Sequence, residues 1–246
     1  MRKILFVALF FLTLCPTFSK TNNPSYRGER ARINNWHRDP NISHGVVLPT
    51  GVSLRRGEFY FADHEIIWLQ FAYGLIDRVQ LSFGTIFPVS ADFNVVNPGL
   101  KVMVTPREFP LSVSIGGSYS QPLSGEAELG GGLLGYISGT YGTTSESITL
   151  CIGYTGTTYE EVEGEAFVGF TGQFQVSSSI KLIGEVVGLP DVEDGFGGFF
   201  GVRFIGSRTT FDLMGFRPFA VSGTTLLTLP YISFHYYFGN PKGGWK

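Results

Sequence analysis

The stretch Ile148-Thr149-Leu150-Cys151-Ile152-Gly153-Tyr154 alternates large apolar residues with small or polar ones. Because successive side chains of a β-strand point to opposite faces, this alternation predicts a strand with one apolar face. About ten such runs, each followed by a turn, fill residues 59–238. The sequence therefore predicts an all-β protein built as an antiparallel meander.

The candidate strands are separated by connections that alternate between short and long. We place the strands at 59–73, 78–87, 97–105, 109–119, 131–141, 147–155, 165–175, 179–188, 197–205, 209–216 and 225–238. The short connections are 74–77, 106–108, 142–146, 176–178 and 206–208, and the longer ones are 88–96, 120–130, 156–164, 189–196 and 217–224. Short turns at one end and longer loops at the other are typical of outer-membrane β-barrels, whose short turns face the periplasm.

Strand direction demands one more strand before residue 59. An odd number of strands, as placed here, cannot close an antiparallel barrel, because the first and last strands would run parallel. The weakly apolar segment 44–56 is the remaining candidate. We therefore expect an up-and-down transmembrane β-barrel of about 12 strands, or of about 10 if the first two segments do not pair.

Composition agrees with a surface that meets lipid. Charged residues make up 15% of the chain, against about 25% in an ordinary soluble domain. The apolar faces of the strands carry the rows Val79/Leu81/Phe83, Leu100/Val102/Val104, Leu111/Val113/Ile115, Ile148/Leu150/Ile152/Tyr154 and Ile232/Phe234/Tyr236/Phe238. These rows predict an apolar outer surface around a polar interior.

The N-terminus has the features of a secretory signal peptide. Two basic residues precede the apolar run 4–14, and small residues follow at Thr17 and Ser19, which predicts cleavage near Ser19. The apolar run is shorter than the ~20 residues that a membrane-spanning helix needs. We therefore expect export to the bacterial outer membrane.

The chain is predicted to have four parts. A signal peptide at 1–19 precedes a flexible N-terminal extension at 20–43, the β-barrel at 44–238 and a C-terminal tail at 239–246. The tail is a departure from barrels that end on the aromatic residue of their last strand.

The interior faces carry the candidate functional residues. If the turn 206–208 is symmetric, Arg203 lies opposite Asp212. We predict a lumen charge network formed by Lys101, Lys181, Glu185, Arg203, Asp212 and His235. One interpretation is a polar constriction that selects solutes, and the other, which we favour, is a structural network, because buried charges need partners in either case.

Other site types find little support in the sequence. Loss of Arg2 and Lys3 with the signal peptide leaves 16 of the 18 basic residues against 20 acidic ones, a net charge of −4, which argues against a nucleic-acid partner. Cys151 then stands alone, so no internal disulfide is expected. We expect no cofactor, no metal site and no catalytic residue, since no second clustered histidine or carboxylate accompanies His235. The expected partners are outer-membrane lipids and the barrel-assembly machinery.

Several motifs resemble those of one protein family. They are Leu54-Arg55-Arg56-Gly57-Glu58-Phe59-Tyr60, Tyr73-Gly74-Leu75-Ile76-Asp77-Arg78-Val79-Gln80-Leu81-Ser82, Asn97-Pro98-Gly99-Leu100-Lys101, Gly201-Val202-Arg203-Phe204 and Pro230-Tyr231-Ile232-Ser233-Phe234-His235-Tyr236-Tyr237-Phe238. In these strand and turn signatures the chain resembles an uncharacterised group of bacterial outer-membrane β-barrel proteins. The resemblance implies a fold but no reaction or ligand.

Three functions remain open at this point. The first is a narrow, porin-like passive pore or a structural and surface protein. The second is an outer-membrane lipid-modifying hydrolase, which needs His235 and a serine within hydrogen-bond reach at the membrane boundary. The third is a secreted soluble β-protein, in which the apolar rows would be buried between two sheets.

Overall fold

The computed structural model describes residues 39–86, 93–107, 109–124, 130–158, 163–190, 195–218 and 228–238. The predicted signal peptide at 1–19, the extension up to residue 38 and the tail at 239–246 lie outside the described residues. Within the described part of the chain, no helix is long and apolar enough to cross a membrane.

Twelve antiparallel strands form one closed barrel in which each strand pairs with its sequence neighbours and β1 pairs with β12. The strands are β1 (Phe59–His64), β2 (Trp68–Ile76), β3 (Val79–Ile86), β4 (Phe93–Met103), β5 (Leu111–Ser124), β6 (Gly132–Gly142), β7 (Glu146–Thr157), β8 (Glu163–Ser177), β9 (Ile180–Gly188), β10 (Phe196–Ile205), β11 (Thr209–Pro218) and β12 (Leu229–Phe238). This confirms the predicted fold class and strand number.

The apolar rows lie on the outer face of the barrel. In β7, Leu150 and Ile152 are 53% and 51% exposed, whereas Cys151 between them is fully buried. The same alternation recurs around the barrel, because a period of two places neighbouring residues on opposite faces. The alternative of a soluble two-sheet protein is therefore wrong: there is one closed sheet, and its apolar rows face outward.

Two of the predicted strands are placed incorrectly. The predicted strand 59–73 is two strands, joined by a turn in which Glu65 and Ile66 have φ values of 59° and 64°. Two successive residues with positive φ are typical of tight hairpin turns, which normally use Asn and Gly. Glu-Ile gives no such signal in the sequence. The prediction that segment 44–56 supplies the twelfth strand is therefore wrong, because that strand comes from the split of 59–73.

Residues 39–56, which we call the inner segment, contain no strand of the barrel. An isolated bridge joins His44 to Pro49, and the Gly45 N–H donates to the Leu48 carbonyl at 2.8 Å, which forms a tight tip. Both ends of the segment lie near the short turns: Asp39 contacts β9 close to the turn 178–179, and the backbone at 57–58 bonds to β2. The segment thus enters the lumen from the short-turn end and doubles back.

Candidate functional site

Glu185 of β9 holds the tip of the inner segment. Its carboxylate oxygens accept hydrogen bonds from the backbone N–H groups of residues 46–48 at 2.8 to 3.0 Å. The hydroxyl of Thr171 donates to the same carboxylate at 2.9 Å. Four donors converge on two oxygens, which is the arrangement that an ionised carboxylate, able only to accept, can satisfy.

Arg203 of β10 joins the inner segment to the barrel wall. Its guanidinium group donates to both carboxylate oxygens of Asp212 at 2.7 Å. It also donates to Asp39 at 3.2 Å and to the backbone carbonyls of Asn41 and Gly45 at 3.2 and 2.8 Å. Because Arg203 is fully buried, these contacts replace the water that its charge would otherwise require.

Two lysines hold the segment from other sides. Lys181 donates to Asp39 at 2.5 Å and to the Thr144 carbonyl at 2.8 Å. Lys101 of β4 donates to the backbone carbonyl of Ser43 at 2.6 Å. Each buried ammonium group is therefore hydrogen-bonded, and the inner segment supplies an acceptor to both.

Asp39 is one residue of this site that the sequence analysis did not predict. Burial by itself raises the pKa of its carboxyl, but the charges of Lys181 and Arg203, with hydrogen bonds from Lys181 and the Asn41 N–H, outweigh burial and hold the pKa well below its usual range. Asp39 lies in a polar stretch without periodicity, so no sequence pattern pointed to it.

Side chains of the barrel wall also form hydrogen bonds with backbone groups of the inner segment. The Gly51 N–H donates to Thr140 at 2.8 Å, and the Leu54 N–H donates to Gln80 at 3.0 Å. The Ser114 hydroxyl donates to the carbonyl of Thr50 at 3.1 Å. Buried backbone groups need such partners, and the barrel interior provides them in place of a neighbouring strand.

Apolar side chains of the inner segment fill three separate parts of the lumen. Their packing partners are Ile183, Met214 and Tyr231 for Val46; Cys151 and Phe167 for Leu48; and Tyr60, Ala62, Ala72 and Tyr237 for Leu54. A cavity of about 260 Å³ remains between the segment and strands β5 to β9, beside Gln173 and Lys181. The short-turn half of the lumen is therefore largely filled by the chain itself.

The structure places all six residues of the predicted charge network on the interior face, where they are buried. Arg203 and Asp212 face each other in the register of β10 and β11 and form an ion pair. Glu185 and Lys101 instead bond mainly to the backbone of the inner segment. Lys181 and Arg203 thus contact both the wall and the segment, whereas Lys101 donates to the segment.

His235 has a serine within hydrogen-bond reach. Its Nε2 lies 3.0 Å from the Ser233 hydroxyl and 3.8 Å from an oxygen of Asp212, and that oxygen is 3.1 Å from the same hydroxyl. A serine-hydrolase triad needs the carboxylate on the other ring nitrogen, Nδ1. The pair is also buried on the lumen face of mid-strand β12, away from the apolar outer surface.

Comparison with known proteins gives no family. No protein-family model matches the sequence, and no curated protein matches it. Two solved structures are similar in fold. A structure of the NanC porin is 9% identical to this chain over 73% of this chain and 97% of its own, with a TM-score of 0.44. The Acinetobacter baumannii outer membrane protein Omp33 is 7% identical over 74% and 95%, with a TM-score of 0.37. At these values the similarities carry no argument about function.

Proposed function

We propose that this chain is a bacterial outer-membrane β-barrel, exported by a signal peptide cleaved near Ser19, whose inner segment closes the short-turn half of the lumen. Passive flux of small solutes through the barrel then depends on displacement of the segment. The proposed role is that of a closed pore, and it involves no catalysis. The observation that carries it is the attachment of residues 46–48 to Glu185 in the middle of the lumen.

The outer surface supports the location. A closed barrel has no free strand edge, so the backbone groups of its wall bond mainly to one another, as a bilayer-spanning structure requires. Half-exposed Leu, Ile, Val and Phe side chains cover the outer face, and the ion pairs of the described residues lie inside. A water-soluble protein would carry the opposite arrangement.

The contacts of the inner segment support closure. Besides its apolar packing, the segment is held by hydrogen bonds and ion pairs that involve side chains of the wall, and the described residues show no strand pairing between the two. Contacts of this kind can be exchanged for water one at a time if the segment leaves the lumen. When the segment leaves the lumen, the twelve strands keep their own backbone hydrogen bonds, so the barrel wall persists without it.

Liposome swelling with sugars of graded size tests the proposal. Arg203→Ala removes three hydrogen bonds to the inner segment, and Arg208→Ala, on the exposed turn 206–208, serves as the control. We expect slow swelling with the unaltered protein and with Arg208→Ala, and faster swelling with Arg203→Ala. Rapid swelling with the unaltered protein would show that the lumen is open. Failure of the unaltered protein and of Arg203→Ala to admit any sugar would favour a purely structural role.

A further inference from the structure

Three histidines from distant parts of the sequence meet inside the barrel. They are His44 of the inner segment, His64 of β1 and His235 of β12. One ring nitrogen of each lies within 4.8 Å of those of the other two. The ring centroids are separated by 5.2 Å for the two pairs that include His235 and by 6.2 Å for the third. The expectation that no second histidine accompanies His235 is therefore wrong.

Two of these histidines have a buried nitrogen without a hydrogen-bond partner among the described residues. The nitrogens are Nε2 of His44 and Nδ1 of His235, and the two residues are 8% and 3% exposed. More than about nine in ten buried polar atoms in proteins have a partner, so two orphans in one cluster call for an explanation. A metal ion bound between the rings would supply the missing partner for both.

The remaining contacts orient the rings. Nδ1 of His64 lies 2.7 Å from the Tyr231 hydroxyl, which is a firm hydrogen bond, and its Nε2 is 3.4 Å from Gln70. Nε2 of His235 bonds to the Ser233 hydroxyl at 3.0 Å. Metal-binding histidines usually use one ring nitrogen for the ion and the other for such an orienting bond. In His64, Nε2 exchanges its long contact with Gln70 for the ion, and Nδ1 keeps its bond to Tyr231.

The donor set indicates the class of metal. Three imidazole nitrogens suit Zn²⁺, Ni²⁺ or Cu²⁺, whereas Ca²⁺ and Mg²⁺ require oxygen ligands. Tetrahedral Zn²⁺ with Zn–N bonds of about 2.0 Å brings its ligand nitrogens to about 3.3 Å from one another. Nitrogens that lie up to 4.8 Å apart must therefore approach by up to about 1.5 Å. His44 lies at the tip of the inner segment, outside the strands, and is the ligand best able to move.

A purely structural cluster would be expected to satisfy its own hydrogen bonds. The contacts of His44 Nδ1 to the hydroxyls of Ser43 and Tyr60 are long, at 3.3 and 3.4 Å, and its other nitrogen has none among the described residues. The Oδ1 atom of Asn41 is also buried and unpartnered, beside His235.

We propose that His44, His64 and His235 bind one divalent transition-metal ion of the class that imidazole ligands favour, of which Zn²⁺ is the example tested below. His44 belongs to the inner segment, and the other two belong to β1 and β12, the pair of strands that closes the barrel. The ion therefore links the inner segment to these two strands. Metal binding itself is independent of the proposed pore function. Only the consequence that the ion slows solute flux rests on it.

The test is metal binding by the full chain, folded in detergent and stripped with a chelator. Titration calorimetry with ZnCl₂ should give one ion per chain, and titration with MgCl₂ should give no heat. His44→Gln, His64→Gln and His235→Gln should each weaken Zn²⁺ binding by at least about 100-fold, since loss of even an orienting residue costs 10- to 100-fold. Val47→Ala, at the same tip but without a ligand atom, should bind like the unaltered protein.

A second measurement needs no substitution. Co²⁺ bound to the unaltered protein should show the absorption of a low-symmetry site with nitrogen ligands and no thiolate band, which excludes Cys151 as the ligand. Absence of Zn²⁺ binding to the unaltered protein would overturn the proposal, as would full retention of binding in all three glutamine variants. These results do not depend on solute flux, so failure of the metal site and failure of the pore proposal are distinguished.

Discussion

Replacement of Glu185 by glutamine tests how the inner segment is held in the lumen. One oxygen of the carboxylate accepts hydrogen bonds from the N–H groups of Val47 and Leu48, and the other accepts from Val46 and Thr171. Glutamine keeps one acceptor oxygen and places an NH₂ group at the other position. The Thr171 hydroxyl can rotate to accept from that group, but the backbone N–H of residue 46 then faces a donor.

The expected cost follows from these contacts. Loss of charge weakens the two remaining backbone hydrogen bonds, and one buried N–H group loses its partner, at about 1–3 kcal/mol for an unsatisfied donor. We take about 3 kcal/mol for the whole change. Because about 1.4 kcal/mol corresponds to a factor of ten, the population with a displaced segment rises by about 100-fold.

Planar-bilayer recordings measure this population as the fraction of time in a conducting state. Glu185→Gln should conduct about 100-fold more of the time than the unaltered protein. Glu165→Gln, on neighbouring β8 and without a hydrogen bond to the inner segment among the described residues, should not differ from it. Equal conductance in all three proteins, with a correctly folded barrel, would refute the inferred role of Glu185. An equal increase in both variants would refute its specificity.

Three further changes probe the same arrangement. A Cβ atom at Gly45 would overlap the carboxylate of Glu185, so Gly45→Ala should expose the inner segment to added protease, whereas Gly135→Ala, which meets open space, should not. The lowered pKa of Asp39 means that the stability contributed by its ion pairs is fully present above the unfolded-state pKa of about 4 and is lost progressively as the pH falls from there through the lowered folded-state pKa. Conductance should therefore rise on acidification, and less so in Asp39→Asn. Ile66→Gly should relieve about 1 kcal/mol of backbone strain caused by the positive φ in the β1–β2 turn. It should therefore raise the temperature at which heated samples no longer migrate on a gel as the folded barrel.

Local patterns of the sequence determine the wall of the barrel. The period of two places Leu150 outside and Cys151 inside, and the short turn 206–208 sets the register that brings Arg203 opposite Asp212. Both inferences need only residues that are close in the sequence. The split of segment 59–73 was missed because its turn lacks the residues that turns of this geometry favour.

The inner segment could not be predicted in the same way. Its contacts join residues far apart in the chain, and Val46 and Glu185 are separated by 139 positions. The backbone of the inner segment bonds to side chains of the wall and not to a neighbouring strand. Its residues therefore need not alternate between two faces, and its sequence shows no strand periodicity. The histidine cluster was missed for the same reason, since His44 meets His235 only because the segment folds into the lumen.

Labelling of Cys151 is the most direct test of the account. This thiol faces the lumen and is buried in a cluster with Leu48 of the inner segment. In the folded mature chain, from which the predicted cleavage removes Cys15, we expect a polar maleimide to react with Cys151 far more slowly than in the unfolded chain. We expect Glu185→Gln to restore much of the reactivity. Reaction of the folded, unaltered Cys151 at the rate of the unfolded chain would contradict the placement of the inner segment in the lumen.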